Sequence, residues 1–210
     1  NTGGMGCSTP PLIIKSSVQN QLSDIFRETF AALKSENRPY TGILYLGGIV
    51  VKSKVYIIEY NARWGDPEVE CILPGIKNDW YEVASSVAEG DFSKIKIGHD
   101  GKARIVVAAA SKGYPEDYST VKGKEIIGVD LLIKTPGIKV YGAGVKLDGE
   151  KYLANGGRLF YVVAEGKSVI EARKKAYDAI KKVSIPGKDG ENLLHYRKDI
   201  GFRDVKRLAA

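Results

Sequence analysis

Two apolar runs, Ile43–Val51 and Val55–Tyr60, are separated only by Lys52-Ser53-Lys54. So short a polar break leaves no room for a crossover connection, and the two runs must lie side by side as an antiparallel β-hairpin. The second run does not fade into a neutral loop. It ends in Glu59-Tyr-Asn-Ala-Arg-Trp-Gly-Asp-Pro-Glu68, which packs five ionisable residues and an asparagine into ten positions.

In a strand, Glu59 and Asn61 project from one face while Ile58 and Tyr60 project from the other. A carboxylate beside an amide carbonyl, with no histidine or cysteine close in sequence, is a hard-oxygen pair suited to Mg²⁺. That ion takes only one or two protein ligands where water and nucleotide phosphates complete its shell. The same residues also suit a strand that simply ends in solvent, and both readings stand at this level. Arg63 and Asp66 follow on a loop that Gly65 lets turn sharply. The arginine offers a planar fork for carboxylate or phosphate, and the aspartate can orient it or bind an amine. A purely structural Arg63–Asp66 pair is the alternative.

Around the hairpin the pattern alternates between helix and strand. Val18, Leu22, Ile25, Phe26, Thr29, Phe30 and Leu33 form one helical stripe, with Ser16 or Ser17 as its expected cap. After Pro67, a first-turn helix residue, come two short helical patterns, the clearer over Asp79–Glu89 with Trp80, Val83, Ala84 and Val87 inward, stopped by Gly90. From about Lys102 the texture becomes β-rich: Ala103–Ala110, Val140–Leu147, Glu150–Ala154 and Arg158–Ala164, with Asp148-Gly149 as a turn. One long helix interrupts it. Ser168 with Glu171 makes a capping box, and Val169, Ala172, Ala176, Ile180 and Val183 form its apolar face. The expected class is α+β, with a boundary near residue 100.

A chain of 210 residues with 43% hydrophobic content can bury a core, which excludes a disordered or fibrous protein. Neither a membrane-length apolar run nor a signal leader is visible, so the expectation is a soluble, cytoplasmic protein. Cys7 and Cys71 lack metal-like spacing and read as free thiols of a reducing compartment. The net charge of +7 is concentrated late: from Lys167 onward there are 12 Lys and Arg against 6 Asp and Glu. With no basic-aromatic interleaving, a pocket for a phosphorylated small molecule or a merely solvated surface fits this excess better than nucleic acid.

Two glycine-rich stretches add anion chemistry. Gly3-Gly4-Met5-Gly6 offers backbone N–H groups without Cβ obstruction, and Gly156-Gly157-Arg158 enters a strand with a guanidinium at its end. A simple turn and a hairpin with an exposed arginine are the plain alternatives. His99 and His195 lie far apart in loop-like contexts, and neither is read as catalytic. The chain opens on Asn1 without an initiator methionine, on a glycine-rich stretch, which reads as a piece of a longer protein.

NTGGMG, YTGILYLGGIV, EYNARWGDPE, ANGGRLFYVVAEG and YRKDIG occur in an order and spacing that resembles the C-terminal half of the phosphoribosylamine–glycine ligases, the glycinamide ribonucleotide synthetases of purine biosynthesis. The resemblance spans essentially the whole chain. It implies residues 1–100 as the C-terminal portion of an ATP-grasp domain, an antiparallel sheet with helices that carries the metal and substrate site. It implies residues 101–210 as a small β-rich C-terminal domain with one long helix. It further implies ATP-dependent ligation of glycine to 5-phosphoribosylamine through a glycyl phosphate, giving glycinamide ribonucleotide, ADP and phosphate.

Carried onto this sequence, the resemblance makes Glu59 and Asn61 the ligands of Mg²⁺ or Mn²⁺. Arg63 becomes the phosphate-stabilising residue and Asp66 the orienting one. Gly3, Gly4 and Gly6 fall at the acyl-phosphate loop, and Gly157 and Arg158 at the ribose phosphate. The expected partners are glycine, 5-phosphoribosylamine, ATP and the N-terminal half of the same enzyme, without which the piece is inactive; no nucleic acid and no membrane are expected. Trp64 stands where the family pattern usually has phenylalanine. A different ATP-grasp ligase of purine or amino-acid metabolism, or a non-catalytic module binding a phosphometabolite, are the alternative readings.

Overall fold

The computed structural model describes residues 4–93 and 95–209. It is mixed α and β with antiparallel pairing throughout its sheets, as the sequence implies, and it divides into two compact units. The units do not follow chain order. One gathers residues 4–10, Asp66–Pro74 and 101–209, and the other holds residues 11–65, 75–93 and 95–100. The stretch beyond residue 100 thus recruits two earlier segments, one of them the tail of the polar motif.

In the smaller unit, α1 (Ser16–Ser35) lies beside the hairpin β2 (Tyr45–Val51) and β3 (Lys54–Asn61). The position before the helix is Lys15 rather than a serine, and no side chain caps it. The hairpin closes through Lys52 and Ser53, both with positive φ (46° and 64°). Two left-handed residues in a two-residue loop make the turn whose twist matches paired strands. Register shifts between Gly47 and Gly48, which face Glu59 and Ile57, so Ile58 is the extra residue of a β-bulge. Beyond the bulge the alternation through Glu59 and Asn61 is unbroken. Tyr60 points the other way, its hydroxyl 2.8 Å from that of Thr29 on α1. Helix α3 (Trp80–Glu89) is capped by Asp79, whose carboxylate accepts from the Tyr81 N–H, and stopped by Gly90 with φ 71°. Val83 is buried, whereas Ala84, expected to face inward, is exposed.

In the larger unit the sheet runs in the order β1 (Gly6–Thr9), β4 (Ala103–Ser111), β8 (Arg158–Gly166), β5 (Ile138–Gly142), and β9 (Leu194–His195) also pairs with β4. A separate hairpin joins β6 (Val145–Asp148) and β7 (Lys151–Ala154), so the apolar run Val140–Leu147 is two strands rather than one. Short helices α2 (Glu68–Ile72) and α4 (Val129–Ile133), the long α5 (Val169–Ile180) and a closing α6 (Phe202–Ala209) complete the unit.

One sheet face, with Ile105, Val107, Ala109, Val162 and Ala164, packs against Val169, Ala172, Ala176 and Ile180 of α5. The capping box holds that helix at its start: Ser168 Oγ accepts from the Glu171 N–H, and Glu171 Oε2 accepts from the Lys167 N–H. The opposite face, with Val106, Ala108, Ala110, Tyr161 and Val163, takes Met5 from ahead of β1 and Cys71 from α2. Cys7 and Cys71 are both free thiols, and its contact with Cys71 together with burial pushes the Cys7 thiol up.

Candidate active site

The sequence-nominated residues fall into both units. On the hairpin, Asn61 Nδ2 donates to Glu59 Oε1 at 3.0 Å, which puts the two side chains on one side of the strand as the alternation requires. Gly47 faces Glu59 across the ladder, and a Cβ there would come within 3.2 Å of the Glu59 Cγ. The missing side chain leaves room for that carboxylate to lie over the partner strand. The pair fits a magnesium-type ion: hard oxygens, two protein donors, and an amide whose half-turn would present Oδ1 in place of Nδ2. Among the described residues no three His, Cys, Asp or Glu side chains stand together as a metal cage. Arg63, farther along, donates from Nη1 to the Trp64 carbonyl at 2.8 Å, and the Trp64 ring meets Trp80 edge-on at 5.8 Å.

In the larger unit the sheet face opposite α5 carries a network. Arg158 grips the Asp66 carboxylate with both ends of its fork, Nη1 to Oδ1 and Nη2 to Oδ2, each at 2.8 Å. Nη1 also donates to the Gly4 carbonyl at 3.0 Å, the Tyr161 hydroxyl donates to Asp66 Oδ1 at 2.8 Å, and the guanidinium lies over the Tyr161 ring. The sequence offers Arg63 as one possible partner of Asp66; the partner found is an arginine 92 residues away. Burial works against the Arg158 charge, but Asp66 overrides it and holds the guanidinium firmly protonated. Burial first, then the bond to Asp66, push the Tyr161 phenol well up.

This network exists because of a second β-bulge. Pairing of β4 with β8 shifts between Ala109, which faces Phe160, and Ala110, which faces Arg158, leaving Leu159 as the extra residue. Positions 158 and 161 are an odd number apart and would lie on opposite faces of a regular strand. The bulge turns Arg158 onto the Tyr161 face, while Leu159 goes into the α5 core. The loop before it is fixed from β4, where Ser111 donates its N–H to the Gly157 carbonyl and its hydroxyl to the Gly156 carbonyl. A Cβ on Gly157 would drive into the Tyr114 ring, and one on Gly4 into the Arg158 guanidinium. Gly4, Gly157 and Arg158 therefore meet in one place. Gly6 is instead a strand residue of β1, paired with Val107, and Gly3 lies outside the described residues.

Three residues of this face escaped the sequence reading. Tyr161 sat unremarked in an apolar run, Tyr114 in a polar loop, and Glu70 two positions past the quoted motif. Glu70 is the one described residue with a buried side-chain polar atom that lacks a partner, its Oε2.

The sequence matches two family domains: phosphoribosylglycinamide synthetase, ATP-grasp (A) domain, over residues 1–69, and phosphoribosylglycinamide synthetase, C domain, over residues 104–203. A phosphoribosylamine–glycine ligase of Caldanaerobacter subterraneus is 39% identical over 201 residues, 95% of this chain and 46% of that protein. The trifunctional purine biosynthetic protein adenosine-3 of Bos taurus is 37% identical over 99% of this chain, which covers 20% of it. Among solved structures, the phosphoribosylamine–glycine ligase of Thermotoga maritima superposes with a TM-score of 0.77 at 32% identity, over 95% of this chain and 47% of that one. The chain thus spans about half the length of the bacterial ligases it matches. Among the described residues no helix is long and apolar enough to cross a membrane.

Proposed function

Because the chain belongs to the phosphoribosylglycinamide synthetase family, carrying sequence of both its ATP-grasp and its C domain, we propose that it is part of an enzyme that ligates glycine to 5-phosphoribosylamine at the expense of ATP. In that reaction ATP phosphorylates the glycine carboxylate, the substrate amine attacks the acyl carbon, and phosphate leaves as the amide forms. We take residues 1–100 as the end of the ATP-grasp domain and residues 101–210 as the C domain, with the ATP-binding remainder supplied upstream in the intact protein.

The observation that carries this reading is the Asp66–Arg158 pair, which links the tail of the polar motif to the glycine loop of the distant strand. A cation that holds a substrate phosphate in an active site works best when it is itself held rigidly. Asp66 does this for Arg158, locking the fork from one side. On this reading Asp66 is an orienting residue, and Arg158 with the Gly157 backbone faces the ribose phosphate. Arg63 serves the transferring phosphoryl group, and Gly4 and Gly6 border the acyl phosphate. Glu59 and Asn61 are the residues that would hold Mg²⁺ or Mn²⁺. Such an ion, when bound, neutralises the charge that builds between nucleotide phosphate and carboxylate. No nucleophilic side chain is called for.

The test is ADP release by the intact protein with glycine, 5-phosphoribosylamine and Mg-ATP, omitting each in turn. Turnover that requires all three supports the assignment. Turnover only with another amine or acid would reassign the chain to a different ATP-grasp ligase, and binding of the ribonucleotide without turnover would make it a non-catalytic module.

A further inference from the structure

We infer that Glu70 is a substrate-positioning residue, its Oε2 accepting a hydrogen bond from the amine or a hydroxyl of the bound sugar phosphate. This rests on the reading above and assigns the substrate an orientation. Asp66 and Glu70 are four residues apart, yet they are treated oppositely. Both Asp66 oxygens are occupied, by Arg158 and by Tyr161, whereas the Glu70 Oε2 is buried with no hydrogen-bond partner among the described residues. A buried acceptor left unmade costs about 1–3 kcal/mol, so an intact fold retains one where water or a bound ligand completes it.

Two donors of this face already serve Asp66. The Arg158 fork goes to Asp66 and the Gly4 carbonyl, and the Tyr161 hydroxyl goes to Asp66. Cys71, next in sequence to Glu70, packs with Tyr141 and Tyr161, so α2 sets the carboxylate over the same face. Burial pushes the Glu70 carboxyl up and Asp66 and Glu68 add to the rise, while a hydrogen bond from its own backbone N–H and the Arg158 charge oppose it. Such an acceptor repels phosphate and attracts N–H and O–H donors. A sugar phosphate amine carries both kinds of group, so its anionic end belongs with Arg158 and Gly157, and its amine or hydroxyl edge with Glu70.

The experiment compares Glu70→Ala and Glu70→Gln in the intact enzyme. Glu70→Ala is expected to raise KM for 5-phosphoribosylamine about tenfold or more, the loss of a hydrogen bond to a charged acceptor. KM for glycine and ATP should stay within about twofold. Glu70→Gln, which keeps an acceptor oxygen, should recover part of the loss, and it carries the test by itself if the alanine variant fails to fold. Calorimetry with ribose 5-phosphate, which keeps the hydroxyls and lacks the amine, separates the two donors. Weakened binding there assigns a hydroxyl, and unchanged binding beside a raised amine KM assigns the amine. An unchanged KM for 5-phosphoribosylamine in both variants, or equal shifts for all three substrates, overturns the inference. Absence of ligation in the wild type would instead fail the functional reading, and unchanged ribose 5-phosphate binding in the variants would then overturn the Glu70 role as well.

Discussion

The hairpin end that bears Glu59 and Asn61 and the sheet face that bears Arg158 and Tyr161 are both set by a β-bulge, but they are supported in opposite ways. Around the first bulge the side chains stand in the open: Ile57 is 46% exposed, Ile58 63% and Tyr60 37%. Around the second, Leu159 is fully buried and Phe160 and Tyr161 nearly so, and Arg158 is tied to two chain segments that precede it by more than ninety residues. The proposed metal ligands can therefore change without disturbing the fold. The proposed phosphate arginine is also a structural tie, so its chemistry and its stability cannot be altered separately.

That contrast can be broken by ranking variants of the intact protein by what each does to stability. Arg158→Ala should cost the most, about 2–3 kcal/mol by denaturant unfolding, because it strands the Asp66 carboxylate and removes the ring contact on Tyr161. The value stays below that for a fully buried pair since Asp66 is 42% exposed. Turnover should fall with it; full stability would mean that the fork is not a structural tie. Tyr161→Phe removes one donor to Asp66 and should cost about 1 kcal/mol, with a smaller loss of activity than Arg158→Ala. A loss larger than that of Arg158→Ala would invert the network as described.

Glu70→Gln should act with the opposite sign. A carboxyl whose pKa is raised in the folded state binds its proton more tightly there than in the unfolded chain. Its contribution is therefore favourable when protonated and is lost as pH rises from the ordinary carboxylate range through the raised value. The groups acting on it include Asp66, Glu68 and Arg158, and it acts in turn on Cys7, Tyr141 and Tyr161. At neutral pH the glutamine variant should be slightly more stable than wild type, and the gain should vanish in acid. A midpoint that drops at neutral pH would show that Glu70 is held by a partner inside the chain.

Sequence was most informative where chemistry is local. The hairpin, the Ser168–Glu171 box, the Gly90 stop and the shared side of Glu59 and Asn61 all follow from residues within a few positions of one another. The partner of Asp66 did not, because it depends on Leu159 being an extra residue in a pairing between strands whose bulge leaves no mark in an apolar run. The same limit hid Tyr161, and it hid β1, a glycine-bearing strand that reads as a loop until β4 lies beside it. The recruitment of Asp66–Pro74 into the larger unit is likewise a matter of long-range packing, not of spacing.

The most direct test of this division is Glu59→Gln in the intact enzyme, with Mg²⁺-dependent ligation and the thermal midpoint measured on the same preparation. Turnover is expected to fall by about a thousandfold, the scale of losing a key electrostatic contact in the transition state. The midpoint should remain at the wild-type value, because Glu59 is exposed and its side chain hydrogen-bonds among the described residues to its neighbour on the strand, Asn61. Near-normal turnover would contradict the account, and so would a lost midpoint, which would show the hairpin end to be as structural as the Arg158 face.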